Sequence, residues 1–515
     1  MSPRQPAAAA AAAAAPPPSA GSDGGSGIRY GTPQGRWVLA ATVLGSALAS
    51  IDATVVGIAL PAIGRDFGAS VASLQWVVNA YTLALAGLLL ISGSAGDLYG
   101  RKRFFITGVI WFAVASALCG LAPTAPLLIA ARGLQGVGAA LLTPGSLAIL
   151  QASFAPADRG RAIGAWSGLG GVATAIGPFL GGWLVSAVSW RLIFAINPPL
   201  AALVVVLALR HVPESRDPSK ASTRLDYTGG ALATLGLTGL TYGLIQGPST
   251  NWGPSSTVVL ILGVLLLVLF VLWERRVPTP ILPLSLFSSR QFTVTNAVTF
   301  VMYGATGGVF FLLPIQLQEV SGYSPLEAGI SVLPLTAVTL LLSARSGALA
   351  ERIGPRLQMG VGPLLVGASL FLLVRIDAAG TYVTQVLPAV LVLGLGFSVT
   401  VAPLTATALS SAPPTQTGTA SAVNNDVART ASLIAVAVLP VIAGITGTAY
   451  DQPEVFSAGF HKASVVSGAL CLVAGLTAAL LIRNPSRAAA PEPAAATRAY
   501  SHCALDAPPP RTRAS

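Results

Sequence analysis

Few residues of this chain can change charge inside apolar sequence, and they limit its chemistry. Asp52 and Arg132 each lie within a long apolar stretch, and Asp426 and Arg429 lie together in another. An ionisable side chain is costly in an apolar environment and is by default a candidate for function. A carboxylate held out of water can also exchange protons near neutral pH. These residues predict proton or charge transfer within an apolar interior.

Other chemistries lack the residues they need. No lysine is followed by Ser or Thr, so the chain carries no Walker A motif for ATP binding. The cysteines Cys119, Cys471 and Cys503 match neither a disulfide framework nor a metal-ligand spacing, and the histidines are scattered. We therefore expect no cofactor and no metal, with a transmembrane proton gradient as the energy source. One charge moved down 100 mV supplies ~2.3 kcal/mol.

The composition indicates where these residues are held. Only 9% of the 515 residues are charged and 53% are hydrophobic, whereas roughly 25% of a soluble domain is charged. This excludes a cytosolic enzyme or a secreted domain and predicts an all-α integral membrane protein. The tails at 1–35 and 484–515 have low complexity or lack apolar runs, and we expect them to be disordered.

Apolar stretches long enough to cross ~30 Å of hydrocarbon as helices recur fourteen times. Pro198 and Pro199 interrupt the sixth stretch. The predicted spans are 37–62, 74–96, 104–122, 125–152, 161–187, 190–209, 227–246, 256–273, 292–314, 325–349, 357–375, 381–409, 417–446 and 458–482.

The arginines predict the orientation. With the N-terminus inside, most of the 29 Lys and Arg lie in cytoplasmic loops and tails, whereas Arg65, Arg191, Arg375 and Lys462 lie outside. This positive-inside bias and the even number of spans place both termini in the cytoplasm. The net charge of +11 therefore reflects topology, and we expect no nucleic-acid partner.

An internal repeat indicates the domain organisation. Residues 93–102 and 347–356 share the pattern G-x-x-x-acid-x-x-G-x-basic, and Gly136 matches Gly394 at nearly the same offset. The distance along the chain between the two repeated segments corresponds to eight of the predicted spans. It predicts six-helix bundles at 36–210 and 291–483, with two inserted helices and linkers at 211–290. Parallel repeats of this kind are a transporter design.

Five segments resemble motifs of the major facilitator superfamily and follow one another along the chain in the family's order. They most closely resemble its fourteen-span drug/proton antiporter branch (EmrB/QacA type). Gly57 stands where that branch usually has Asn, and Leu98 where the loop motif usually has Arg. The segments are 52–61, 93–103, 128–138, 177–182 and 190–199.

The resemblance implies a function and several roles. It implies alternating access, proton-driven efflux, a conformational gate at the two repeated loops and an antiporter motif on the fifth span. The gating residues are Gly93, Asp97, Gly100, Arg101, Glu351 and Arg352. The antiporter-motif residues are Gly177, Pro178, Gly181 and Gly182.

The depths of Asp52 and Arg132 suggest one shared site. At 1.5 Å per residue Asp52 lies ~22 Å from the inner face, and Arg132 lies ~10 Å from the outer face. We expect them to face one central cavity and to form or exchange an ion pair that couples protons. A static pair that fixes helix packing is the alternative.

A second polar site is predicted on the thirteenth span. It comprises Asn424, Asn425, Asp426 and Arg429. Asp426 and Arg429 are three residues apart, so they share a helix face and can neutralise each other. An internal salt bridge and a role in proton or substrate binding both remain open.

Aromatic and amide residues supply a candidate substrate cavity. Trp76, Asn79 and Tyr81 lie on the second span and Trp166 on the fifth. Such residues can line an apolar pocket with a few polar groups and can bind cations through their rings. Trp76 can equally anchor the chain at the membrane interface.

These observations favour a proton-driven exporter of small amphipathic or cationic compounds such as antibiotics, rather than an enzyme. The partners we expect are the lipid bilayer, protons and the small-molecule substrate, with the chain active as a monomer in a bacterial plasma membrane. Arg far outnumbers Lys, which suggests a GC-rich genome. A gradient-driven uptake permease of the same fold is the alternative, and a membrane enzyme or channel is the remaining one.

Overall fold

The computed structural model describes residues 27–216, 225–378, 380–413, 416–449 and 452–484. Fourteen long helices run up and down through this part of the chain. They are α1 Pro33–Phe67, α2 Val71–Tyr99, α3 Arg101–Gly120, α4 Ala125–Ser153, α5 Pro156–Ala187, α6 Leu192–His211, α7 Tyr227–Ser249, α8 Pro254–Glu274, α9 Arg290–Val320, α10 Pro325–Ile353, α11 Pro355–Leu373, α12 Tyr382–Ser410, α13 Thr417–Ala443 and α14 Pro453–Leu481. We call the end of the bundle at which α1 begins and α14 ends the termini face.

Prolines and short irregular turns define several of these helices. In α6 the regular helix is broken at Ile196 and resumes at Asn197–His211. Pro198 and Pro199 fall in its first turn, where a missing N–H costs nothing, so the predicted interruption is a short break. Helix α10 is broken in the same way at Val332, and α9 ends in a π-helical turn at Gln316–Val320.

Thirteen of the fourteen helices are long and apolar enough to cross a membrane. The remaining one, α7, has 23 residues, but its glycines and threonines lower its hydropathy. It lies against three other helices. Thr234 donates to the Gly87 carbonyl of α2 at 3.0 Å, and Leu237 packs with Leu433 of α13 and Leu267 of α8. The prediction of an all-α membrane fold is confirmed.

The internal repeat reappears as equivalent helix contacts. A side chain at Gly136 of α4 would collide with the Tyr81 carbonyl of α2. A side chain at Gly394 of α12 would meet the Leu335 carbonyl of α10 at 2.8 Å. In each half the glycine therefore lets two helices approach through their backbones.

The two repeated loops also share their backbone conformation and their hydrogen-bond contacts. Gly100 and Gly354 both adopt positive φ, at 123° and 83°, where a side chain would be strained. The residue two positions after each glycine donates its backbone N–H to a side chain. In each half that side chain belongs to a residue just after the sixth helix. Lys102 donates to Glu214 at 3.1 Å, and Arg356 donates to Asn484 at 3.0 Å.

Residues before the predicted tail boundary at residue 35 already form regular backbone contacts. Ile28 exchanges backbone hydrogen bonds with Ser153 and Ala155, and the Tyr30 N–H donates to Asp158 at 3.0 Å. The predicted tail boundary is therefore too late, because this segment pairs with the turn between α4 and α5. Residues 1–26 and 485–515, which hold most of both predicted tails, lie outside the described residues.

Candidate transport site

An ion pair lies at the centre of the first half. Arg132 Nη1 of α4 donates to Asp52 Oδ2 of α1 at 2.5 Å, and both side chains are almost wholly buried. Arg132 Nε also donates to the Val77 carbonyl of α2 at 3.1 Å. The structure thus brings together the two residues that the sequence placed at similar depth.

Three polar residues that were assigned no role complete this network. Gln135 Nε2 and Asn197 Nδ2 donate to Asp52 Oδ1 at 2.7 and 3.2 Å. Gln135 Oε1 accepts from Arg132 at 2.7 Å, and Asn197 also donates to Ser116 at 2.9 Å. The sequence signal for Gln135 was its position three residues after Arg132, which puts both on one helix face. Asn197 lies in the segment 190–199 that resembles a family motif, although no role was assigned to it, and nothing local indicated Ser116.

The pair is closed to solvent in this conformation. The Arg132 guanidinium lies 4.4 Å from the centre of the Tyr81 ring, and the Tyr81 hydroxyl donates to the Ala49 carbonyl. Asp52, Gln135 and Asn197 are all at most 3% exposed. Asp52 and Arg132 therefore do not face an open cavity here, which differs from the prediction. A closed site is consistent with a pair that must be opened before it can exchange a proton.

The second predicted polar site is divided. Asn424 Nδ2 donates to Asn296 and Thr299 of α9, both at 3.0 Å, so it holds α13 against α9. Asn425 is exposed and donates to the Ser421 carbonyl of its own helix.

An ion pair between Asp426 and Arg429, one of the two alternatives that the sequence left open, is not present in the described residues. Asp426 Oδ1 and Arg429 Nε are buried atoms without a hydrogen-bond partner. The two side chains share a helix face, as their spacing requires, but they do not meet within 4.0 Å. Asp426 and Arg429 are therefore two partly buried ionisable groups on one face of α13 that form no direct ion pair with each other.

The four candidate cavity residues do not line one cavity. Trp76 stacks obliquely on Tyr242 of α7, with ring centres 6.2 Å apart. Asn79 donates to the Leu433 carbonyl of α13, and Trp166 donates to Ser46 of α1 at 3.1 Å. Tyr81 covers the ion pair instead. Trp76 and Asn79 therefore join helices, which corrects their assignment to a common pocket.

The two halves meet at the face opposite the termini. Gln75 Nε2 of α2 donates to the Val436 carbonyl of α13 at 2.7 Å. That carbonyl has lost its helical donor because residue 440 is proline. Nearby, Arg65 pairs with Glu319 at 2.8 Å, and Gln318 donates to the Ile58 carbonyl. These contacts close this face between α1, α2, α9 and α13.

The glycines of the antiporter motif serve two different contacts. A side chain at Gly177 would collide with Thr54 of α1, and one at Gly181 would make a tight contact with Val55 of α1, in the same half. A side chain at Gly182 would collide with Pro325 and Leu326 of α10, in the other half. Gly181 therefore does not lie between the halves, because one helical step turns it toward α1.

Pro178 also faces the other half. A side chain at Gly329 of α10 would collide with the Pro178 carbonyl. Closer to the termini face, Gly164 and Gly168 of α5 have nothing within 4 Å of a side-chain position. Helices α5 and α10 therefore touch near the opposite face, and α5 faces open space near the termini face.

The repeated loops differ in their charges. Asp97 Oδ1 accepts from Arg101 Nε at 2.9 Å, and Gly93 lies against Pro144 of α4. In the second loop Pro355 stands where the first has Arg101. Glu351 and Arg352 are exposed, and within the described ranges neither forms an ion pair. The loop geometry is repeated, but the acidic–basic pair is not.

The family model described as the Major Facilitator Superfamily matches residues 42–436. The chain is 37% identical over 426 residues to the puromycin resistance protein of Streptomyces alboniger, which covers 81% of this chain and 84% of that protein. It is 35% identical over 407 residues to the tetracenomycin C resistance and export protein of Streptomyces glaucescens, at 78% and 75% coverage.

The fold also matches solved structures. A bacterial homologue of the human lysosomal transporter Spinster superposes with a TM-score of 0.62 at 18% identity, over 87% of this chain and 97% of that one. The chain belongs to the Major Facilitator Superfamily. It is a multi-pass bacterial membrane protein and a secondary transporter rather than an enzyme.

Proposed function

We propose that this protein is a proton-driven exporter of small amphipathic or cationic compounds. Relatives at about 35% identity are named for resistance to, or export of, antibiotics, which supports export of a toxic compound. The observation that carries the proton-coupled part is the buried Asp52–Arg132 pair, since a titratable pair in an apolar interior links protonation to helix movement.

The hydrogen-bond network around Asp52 suggests how protonation is linked to helix movement. Asp52 accepts hydrogen bonds from Arg132, Gln135 and Asn197, on α4 and α6. Protonation removes the negative charge that holds these donors. Arg132 is then a buried cation without its partner, which is unfavourable. We infer that α4 and α6 shift relative to α1 to solvate or re-pair Arg132, and that deprotonation restores the closed network.

The conformation fits an inward-open state under the same proposal. The basic loops assign the termini face to the cytoplasm by the positive-inside rule. The contacts of Gly182 with Pro325 and of Arg65 with Glu319 would then seal the outer face. The open space beside Gly164 and Gly168 would lie on the cytoplasmic side. Closure there, with opening outside, would release the substrate. The chain works as a monomer and needs only the gradient.

Export can be tested in a sensitive host that expresses the chain. A panel of puromycin, tetracenomycin C and ethidium should include at least one compound whose accumulation falls, and a protonophore should abolish the fall while ATP is held constant. An empty vector provides the control. Unchanged accumulation of the whole panel, together with gradient-driven uptake of a nutrient, would instead identify the uptake permease of the same fold.

A further inference from the structure

A continuous groove runs along the lipid-facing side of α3. Its part farther from the termini face is an open depression of about 390 Å³. Its part at the termini face is a shallower, open depression of about 530 Å³, and Thr107 lines both. The deeper part is formed by Ile110, Trp111, Val114, Ala115 and Leu118 of α3 with Leu134 of α4. The groove is therefore one surface that changes character along its length.

The end at the termini face is basic. Lys102 and Arg103 lie there with Ile106, Leu209 and Glu214. Lys102 Nζ donates to the Leu209 carbonyl of α6 at 3.0 Å, and Arg103 lies 3.7 Å from the Glu214 carboxylate. Glu214 offsets one of the two positive charges, and a net positive charge remains at the rim. The Arg103 side chain is 72% exposed and is free to reach a further anion.

The deeper part is apolar and has a fixed wall. Trp111 Nε1 donates to the Leu134 carbonyl at 2.8 Å, so the indole is held across α3 and α4 with its ring about half exposed. Ile110, Val114 and Leu118 follow at helical spacing and are also about half exposed. From Ile106 to Leu118 the helix rises ~18 Å at 1.5 Å per residue, which is close to the ~15 Å depth of one leaflet.

We propose that this groove binds an anionic phospholipid, with the phosphate at Lys102 and Arg103 and one acyl chain along Trp111 and Leu118. Charge complementarity at the rim and the leaflet-long apolar channel together select this occupant. Basic pockets between membrane helices at the headgroup level bind such headgroups. The lipid would bridge the first residues of α3 and the last turn of α6, next to the Asp97 loop.

The test uses the full chain in vesicles that mix phosphatidylglycerol with phosphatidylcholine. Two preparations are compared, and in each of them one of the two lipids is brominated in the middle of its acyl chains. Bromine quenches tryptophan on contact, and the difference between the chain and Trp111→Phe isolates the signal of Trp111. We expect phosphatidylglycerol to be preferred about fivefold over phosphatidylcholine at Trp111 when the two lipids have equal bulk fractions, since one net basic charge near a surface supplies that factor. Brominated phosphatidylcholine should be depleted.

Variants separate the rim from general lipid contact. Lys102→Gln/Arg103→Gln should remove the enrichment, whereas Arg275→Gln/Arg276→Gln, a basic pair outside the groove, should retain it. Arg103→Gln alone should reduce it and serves if the double variant fails to fold. Three results would overturn the proposal: quenching by both lipids in proportion to their bulk fractions, enrichment that survives the double variant, or absence of quenching by either lipid.

Discussion

At the scale of single residues, the site is built so that Asp52 has no free oxygen. Its two oxygens accept from Arg132, Gln135 and Asn197, and each donor comes from a different position of the first half. A buried pair of this kind adds little net stability compared with apolar residues, but removal of one partner leaves an uncompensated charge. The arrangement therefore ties helix packing to the charge of one carboxylate.

This dependence predicts the stability of variants at the pair. Asp52→Asn should lower the free energy of unfolding by about 3–5 kcal/mol, because it leaves Arg132 buried without a counter-charge. Asp52→Asn/Arg132→Gln should recover most of that loss. Thermal unfolding in one detergent measures all three proteins. Equal melting temperatures for the single and double variants would contradict the account.

Gln135 offers a test that keeps both charges. It donates to Asp52 and accepts from Arg132. Gln135→Leu should cost about 1–3 kcal/mol, since a buried donor and acceptor are left unsatisfied, and should change the pH at which transport is half-maximal. Glu454→Gln, which alters an exposed carboxylate in the first turn of α14, is the control for the pH profile. An unchanged profile in Gln135→Leu would exclude Gln135 from the coupling network.

At the scale of helices, small residues determine where the halves touch. Gly182 allows α5 to approach the backbone of α10 at the face opposite the termini, whereas Gly168 on the same helix faces open space. A larger side chain at Gly182 and a larger side chain at Gly168 therefore have opposite effects on the conformational balance. At Gly182 it disfavours the conformation described here, and at Gly168 it obstructs closure at the termini face.

Spin labels can measure this difference. Ala157→Cys on α5 and Leu357→Cys on α11 are exposed at the termini face, and the three native cysteines are replaced by alanine. Gly182→Leu should increase the short-distance population, because overpacking costs about 1–3 kcal/mol. Gly168→Leu should leave only the long distance, and Gly181→Leu, which strains α1 in the same half, provides the matched control. Identical distance distributions in Gly182→Leu and Gly168→Leu would contradict the assignment.

The sequence was sufficient for the features that depend on spacing along the chain. Hydropathy located the helices, and the offset between residues 93 and 347 located the repeat that Glu214 and Asn484 now support. The similar membrane depths of Asp52 on α1 and Arg132 on α4 were enough to predict that the two residues pair. Contacts between helices distant in sequence were not predictable. The rotation of α5 that separates Gly181 from Gly182, and the position of α7 beside α2, depend on packing that no local pattern encodes.

At the scale of the whole molecule, the two halves are linked by residues at equivalent positions. Arg65 ends α1 and Glu319 ends α9, the first helix of each repeat, and they form an ion pair across the opposite face. The pair is partly exposed, and an exposed pair contributes ~0.2–1 kcal/mol. It therefore adjusts the balance between conformations and does not fix it.

A charge exchange tests this contact. Arg65→Glu should repel Glu319 and should raise the short-distance population between the labels at 157 and 357 by a few-fold at most, consistent with the weakness of exposed pairs. Arg65→Glu/Glu319→Arg should restore the original distribution. High salt should reduce the difference, since it screens exposed charges. A double variant that resembles the single one would show that the pair does not link the halves.

The central claim is that Asp52 carries the proton that drives export, and one comparison in proteoliposomes tests it most directly. Purified chain and Asp52→Asn are each given a cationic dye that the chain exports, first with a pH gradient and then with dye on both sides and no gradient. We predict that Asp52→Asn retains dye exchange without a gradient and loses uphill transport driven by the gradient, whereas the unaltered chain performs both. Uphill, gradient-driven transport by Asp52→Asn at the rate of the unaltered chain would contradict the claim.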